Sequence, residues 1–200
     1  MSRMINSYYS VNIRRYLESK NEDDRHVLTS IISSFTCPRN PDIESFLKNK
    51  AIEFTKKQQS VTYLVMSRDM PGLLVGYFTL TVKPLVIGVK DIPSNTIRRK
   101  IERVARFDEE TQAYSAAGYL IAQLGKNYTD GVNELVTGSE LLRLAFNVIF
   151  DVQDMVGGMI AFLDAENNKS LIDFYERNGF HLISDPKSPR EELIQFYRTV

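Results

Sequence analysis

Cysteine, tryptophan and histidine are scarce in this chain, and neither sign of charge is in excess. Cys37 stands alone among 200 residues, so no intrachain disulfide can form, which suits a reducing compartment. Without an evident histidine partner, Cys37 is not expected to be a nucleophile. His26 and His181 are isolated and read as structural. No Cys/His cluster has metal-ligand spacing, so no metal is expected. Basic and acidic residues number 25 each, for a formal net charge of zero. The basic excess of a polyanion-binding protein is absent, which disfavours nucleic acid while leaving a local patch open. No apolar run approaches the ~20 residues that cross a bilayer. Met1 to Tyr16 is polar and tyrosine-rich, without the apolar core of a signal peptide. A cytoplasmic protein without a membrane segment is expected.

What is present is a well-spread hydrophobic content of 43%, enough for one full core over the whole chain, residues 1–200. Ser10 to Tyr16 reads as a first strand. Asp23 or Asp24 caps a helix to about Ser34, with Val27, Leu28, Ile31 and Ile32 inward. Asn40-Pro41-Asp42 restarts a helix that should end near Lys57. Val61 to Arg68 and Leu73 to Val82 read as an antiparallel hairpin turned by Met70-Pro71-Gly72. Lys83 to Gln112, punctuated by Pro84, Gly88 and Pro93, reads as an excursion with a short helix. Tyr114 to Gly125 is a central strand, Lys126 to Val136 a polar loop, and Ser139 to Val156 the clearest helix. Its inner stripe is Leu141, Leu144, Ala145, Val148, Ile149 and Val152. Phe180 to Ile183 and Leu193 to Tyr197 are two last strands, joined by a Pro-containing turn.

That order of elements predicts an α/β fold with a mixed, mostly antiparallel central sheet flanked by helices. Its most informative stretch runs from Gly157 to Gly179. An apolar strand, Met159 to Leu163, leads through an amide-rich turn into a helix. Asn168 and Tyr175 are two helical turns apart on one face, and Asn178-Gly179 stops the helix before Phe180. This run resembles the acetyl-CoA end of the GNAT superfamily of N-acetyltransferases, and the resemblance extends from about Ser34 to Ile183. Phe35-Thr36-Cys37, Phe46-Leu47 and Gly76-Tyr77 are similar to the bacterial subgroup that includes tRNA-acetylating toxins.

The resemblance implies acetyl-CoA as co-substrate. Tyr175 would be the general acid, since a phenol stays protonated at neutral pH; otherwise it packs an amphipathic helix. Asn168 would touch the CoA arm, or only cap its helix. The main chain of Leu124 and Lys126 would line the pantetheine path, with Gly125 permitting close approach. Gly138 and Ser139 would hold the phosphates at a helix N-terminus. The loop Tyr128 to Leu142 departs from the family's Gln/Arg-x-x-Gly-x-Gly/Ala pattern, with Asn133 and Val136 at two of its positions. It is acidic at Asp130, Glu134 and Glu140, and Thr137-Gly138-Ser139-Glu140 fits a self-closing capping box. Glu44, Glu53 and Asp69 are acids near the early elements, and none is named as the base. Arg98 to Arg106 reads as a solvated basic face or as a contact for an anionic substrate.

The expectation is an N-acetyltransferase acting on a primary amine of a small molecule or peptide, with a homodimer possible. A toxin acting on aminoacyl-tRNA and a non-catalytic GNAT-fold interaction module are the alternatives.

Overall fold

The computed structural model describes residues 7–183 and 193–200. Residues 1–6 and the expected turn between the last two strands lie outside the described residues. In chain order the elements are β1 (Tyr8–Asn12), α1 (Arg14–Leu17), α2 (Glu22–Ser33), α3 (Pro41–Asn49), α4 (Ala51–Lys56), β2 (Val61–Ser67) and β3 (Leu74–Gly88). Then come α5 (Asn95–Glu102), β4 (Arg106–Asp108), β5 (Ala113–Lys126), α6 (Gly138–Val156), β6 (Ile160–Glu166), α7 (Lys169–Arg177), β7 (His181–Ile183) and β8 (Leu193–Thr199). The strands form one eight-stranded sheet ordered β1-β2-β3-β5-β6-β8-β7, with β4 on β5. Among the registers described, only β5–β6 is parallel. The mixed, mostly antiparallel sheet flanked by helices is the architecture read from the sequence.

The chain forms two compact units. The first is Met1–Thr81 with Gln123–Asn147, and the second is Val82–Ala122 with Val148–Val200. Buried side chains of the first include Leu28, Ile32, Phe35, Leu47, Leu64 and Tyr77. Those of the second include Leu85, Ile87, Ile101, Tyr114, Ile160, Phe162 and Tyr197.

Several boundaries differ from the sequence reading. The first strand stops at Asn12, whose Oδ1 accepts the Arg14 amide at 2.9 Å and starts α1. Ile13 is fully buried at that turn. The cap of α2 is Asn21, not Asp23 or Asp24, and it accepts the Asp23 amide. Leu28 and Ile32 make the inner stripe of α2, and Val27, one helical step away, is 46% exposed. Asn40 caps α3 as expected, accepting from the Asp42 and Ile43 amides. The helix then breaks at Lys50 (φ −123°), and α4 begins. Phe46 and Phe54 meet edge to face at 5.5 Å across the break. β3 runs past Val82 to Gly88, so the first part of the Lys83 to Gln112 segment is strand.

Candidate functional site

In the first unit, β5 ends at Lys126 and the following segment is fastened by one buried side chain, Asn127. Its Oδ1 accepts the Thr36 amide at 3.0 Å and the Thr129 amide at 3.1 Å. Its Nδ2 donates to the Leu74 carbonyl at 2.9 Å, and its own amide donates to the Val75 carbonyl at 2.9 Å. Thr129 Oγ1 donates to the Ser34 carbonyl at 2.6 Å, so Thr36 Oγ1 is the donor in the 3.0 Å contact between the two hydroxyls. The Tyr128 amide adds a bond to the Thr36 carbonyl at 2.8 Å. The connection between α2 and α3 is thereby tied to the loop after β5. The sequence reading passes over Asn127, because its side-chain partners Thr36 and Leu74 are remote in the chain.

The loop continues through a 3-10 segment, Thr129–Glu134, in which Asp130 is left-handed (φ 49°). Lys126 Nζ donates to the Asn133 carbonyl at 2.7 Å, and Tyr8 Oη donates to the Leu135 carbonyl. The capping box at the start of α6 is formed. Glu140 Oε2 accepts the Thr137 amide at 2.7 Å and the Thr137 hydroxyl at 2.8 Å, and Thr137 Oγ1 accepts the Glu140 amide at 3.2 Å. The Leu141 amide is also used, donating to the Thr137 carbonyl. The Gly138 and Ser139 amides have no acceptor among the described residues, so the first turn keeps two donors.

Gly125 has a packing reason of its own. A Cβ there would lie 2.4 Å from Ile43 Cγ2 and 3.4 Å from the Phe35 and Tyr77 rings. Tyr77 is fully buried, donates to the Ile43 carbonyl at 2.6 Å, and has its phenol pushed up by burial. The Lys126 ammonium is pushed down, first by burial and then by the charge of Arg39; Glu134 and Glu140 act in the opposite sense. The Arg39 guanidinium lies 5.3 Å from the Tyr128 ring centre, a cation–π distance.

In the second unit, the β5–β6 ladder pairs Tyr119 with Ala161 and Leu120 with Phe162. Beyond β6, Asn168 caps α7 by accepting the Leu171 amide at 2.9 Å, which gives it a structural role. Tyr175 is 8% exposed, and its ring packs on Phe174, Phe180 and Phe196 at 4.9, 5.7 and 5.4 Å. Burial pushes its phenol up to about 12, so it stays protonated at physiological pH. Its hydroxyl has no hydrogen-bond partner among the described residues. Gly179 (φ 80°) supplies the left-handed residue that turns the chain from α7 into β7.

Other polar candidates are already engaged. Glu44 accepts the Cys37 amide at 2.8 Å and pairs with Lys48 at 2.7 Å; Lys48 and then the Cys37 amide hold its carboxyl below the usual range. Glu53 is held down by Lys57. Both are therefore poor proton acceptors. Burial pushes the Cys37 thiol up and keeps it protonated. Arg98 is bound to Glu102 and Tyr114, each at 3.0 Å, whereas Arg99, Arg103 and Arg106 form no ion pair among the described residues. Among the described residues no group of three or more His, Cys, Asp or Glu could hold a metal, and no helix is long and apolar enough to cross a membrane.

No family model matches the sequence, and no curated protein matches it. Solved structures do. A tyrosine-to-phenylalanine mutant of the AtaT toxin aligns at TM-score 0.64 and 15% identity, covering 100% of this chain and 93% of that one. A tyrosine-to-phenylalanine mutant of KacT aligns at TM-score 0.63 and 19% identity, covering 97% and 95%. AtaT complexed with acetyl-methionyl-tRNAfMet aligns at TM-score 0.60 and 18% identity, covering 82% and 86%. Further AtaT structures contain acetyl-CoA or the C-terminus of the antitoxin AtaR, and KacT has been solved in a KacTA–DNA complex. At these identities the likeness establishes the fold, and the chain has the GNAT architecture. The toxins AtaT and KacT are solved examples of that architecture.

Proposed function

We propose that this protein is an acetyl-CoA-dependent N-acetyltransferase and that its acceptor is the amine of an aminoacyl-tRNA rather than of a small molecule or peptide. The observation that carries the enzymatic reading is the Tyr175 hydroxyl, a protonated group without a hydrogen-bond partner among the described residues. The residues after β5 fit the co-substrate: the Gly138 and Ser139 amides are free for an anion, and Leu124, Gly125 and Lys126 offer the main chain of β5 to the amides of a pantetheine arm. Acetyl-CoA supplies an activated thioester. A C–N bond forms to the amine as the C–S bond breaks. Tyr175 Oη would deliver its proton to the leaving sulfur, and solvent would take the proton that the amine sheds. Asn168 would orient the CoA arm with whatever its cap bond leaves free.

The acceptor assignment draws on the AtaT complex with acetyl-methionyl-tRNAfMet and on Arg99, Arg103 and Arg106, which form no ion pair among the described residues. It departs from the small-molecule or peptide amine expected from the sequence, where the zero net charge counted against nucleic acid. A non-catalytic reading takes its support from the capping box, which closes part of the α6 N-terminus. Calorimetric titration with acetyl-CoA, with dephospho-CoA for comparison, separates the two. Micromolar binding, on the order of −8 kcal/mol, is expected, and no binding up to millimolar ligand by folded protein would overturn the enzymatic reading. Acetyl transfer from labelled acetyl-CoA to total aminoacyl-tRNA, run beside a panel of small amines and peptides, tests the acceptor. Labelling of the small amines alone would overturn the tRNA assignment and leave the enzyme standing.

A further inference from the structure

We propose that Arg39 and the side chain of Lys126 together hold a phosphate group of acetyl-CoA, supplying from two other positions the cationic donors that the loop Tyr128 to Leu142 lacks. This rests on the acetyl-CoA reading above. The loop carries Asn133 where the family pattern has Gln or Arg, and Val136 where it has Gly, so it supplies no cation of its own. Two cations reach the same region from elsewhere in the first unit. Lys126 comes from the end of β5, and its Nζ spends one proton on the Asn133 carbonyl, leaving two donors. Arg39 comes from the α2–α3 connection, which Asn127 and the Tyr128 amide tie to the loop, and it lies over the Tyr128 ring.

Neither cation is in an ion pair among the described residues. They are near enough that the charge of Arg39 disfavours the Lys126 ammonium more than either nearby carboxylate favours it. Of those carboxylates, Glu140 is already committed to Thr137. Bringing like charges together at a half-buried lysine costs energy, and an anion between them offsets that cost. The free Gly138 and Ser139 amides belong to the same loop-and-helix segment. The combination suits a phosphate better than a carboxylate, because it offers guanidinium, ammonium and main-chain donors to several oxygens.

The test compares acetyl-CoA with acetyl-pantetheine, which keeps the thioester and the arm but carries no phosphate. Calorimetry on the wild type should give tighter binding of acetyl-CoA, weakening as salt rises. Arg39→Gln and Lys126→Met should each weaken acetyl-CoA roughly tenfold or more, the scale of a charged hydrogen bond. Arg39→Gln should leave acetyl-pantetheine unchanged, and Arg39→Lys should retain most of the acetyl-CoA affinity. Arg39 is exposed, so its variants remain informative if Lys126→Met fails to fold. Unchanged acetyl-CoA affinity in Arg39→Gln, or equal loss for both ligands, would overturn the proposal and leave the enzymatic reading intact. A wild type that binds no acetyl-CoA would take down both.

Discussion

Tyr175 gains its chemical character from what surrounds it rather than from what it bonds. Three aromatic rings pack on its own ring and burial raises the phenol, while its hydroxyl has no hydrogen-bond partner among the described residues. Tyr175→Phe should therefore lower kcat by roughly 10²–10⁴ with acetyl-CoA affinity and urea midpoint unchanged. Steady-state kinetics, calorimetry and denaturation on one preparation check this, and a stability loss would mean the hydroxyl is structural. Gly125 invites the opposite experiment. Gly125→Ala drives a methyl group onto Ile43 and should cost about 1–3 kcal/mol of stability. Ile43→Ala in the same chain should recover part of that cost, so that the double mutant is not the sum of the singles. Additive losses would show that Ile43 is not the obstacle.

At the scale of elements, the loop after β5 depends on Asn127 and the start of α6 depends on Thr137 and Glu140. Asn127→Ala strands the Thr36 and Thr129 amides and the Leu74 carbonyl, and should cost about 2–4 kcal/mol in urea unfolding. Because that side chain ties down the segment bearing Arg39, the same variant should weaken acetyl-CoA while still folding at low temperature. Thr137→Ala should cost about 1 kcal/mol, since it removes the helix cap while the main chain of α6 stays in place. Normal stability in Asn127→Ala would show that water replaces the three bonds.

For the whole molecule, the pH dependence of stability is set at the alkaline end by buried phenols. Tyr175 and Tyr197 are pushed up to about 12, and Tyr77 higher still, all chiefly by burial. The unfolded chain ionises its tyrosines near 10, whereas the folded chain keeps these three neutral. The stabilisation is fully present below pH 10 and is lost as pH rises through the folded-state values. Stability should then fall by about 1.4 kcal/mol per pH unit for each neutral tyrosine. Urea unfolding from pH 8 to 11.5, followed by tyrosinate absorbance, checks the slope. Tyr77→Phe should reduce the slope by one tyrosine's share, and an unchanged slope would remove Tyr77 from the account.

The sequence by itself determined what repeats locally: most of the strand and helix order, though not α1 or β4, the Asn40 cap, the Thr137–Glu140 capping box and the α7 segment with Asn168 and Tyr175. These are written in neighbouring residues, because helix caps and amphipathic stripes act over a few positions. Lys50, where one expected helix becomes two, carries no breaker residue. The break accompanies the burial of Leu47 and Ala51 and the contact of Phe46 with Phe54. Likewise β3 continues through Pro84 because Leu85 and Ile87 enter a core whose other members are remote in the chain. Only the tertiary structure decided that Asn127 fastens two loops, that Ile43 fills the space beside Gly125, and that Arg39 and Lys126 share one region. Each of these depends on residues that chain folding, not sequence proximity, makes neighbours.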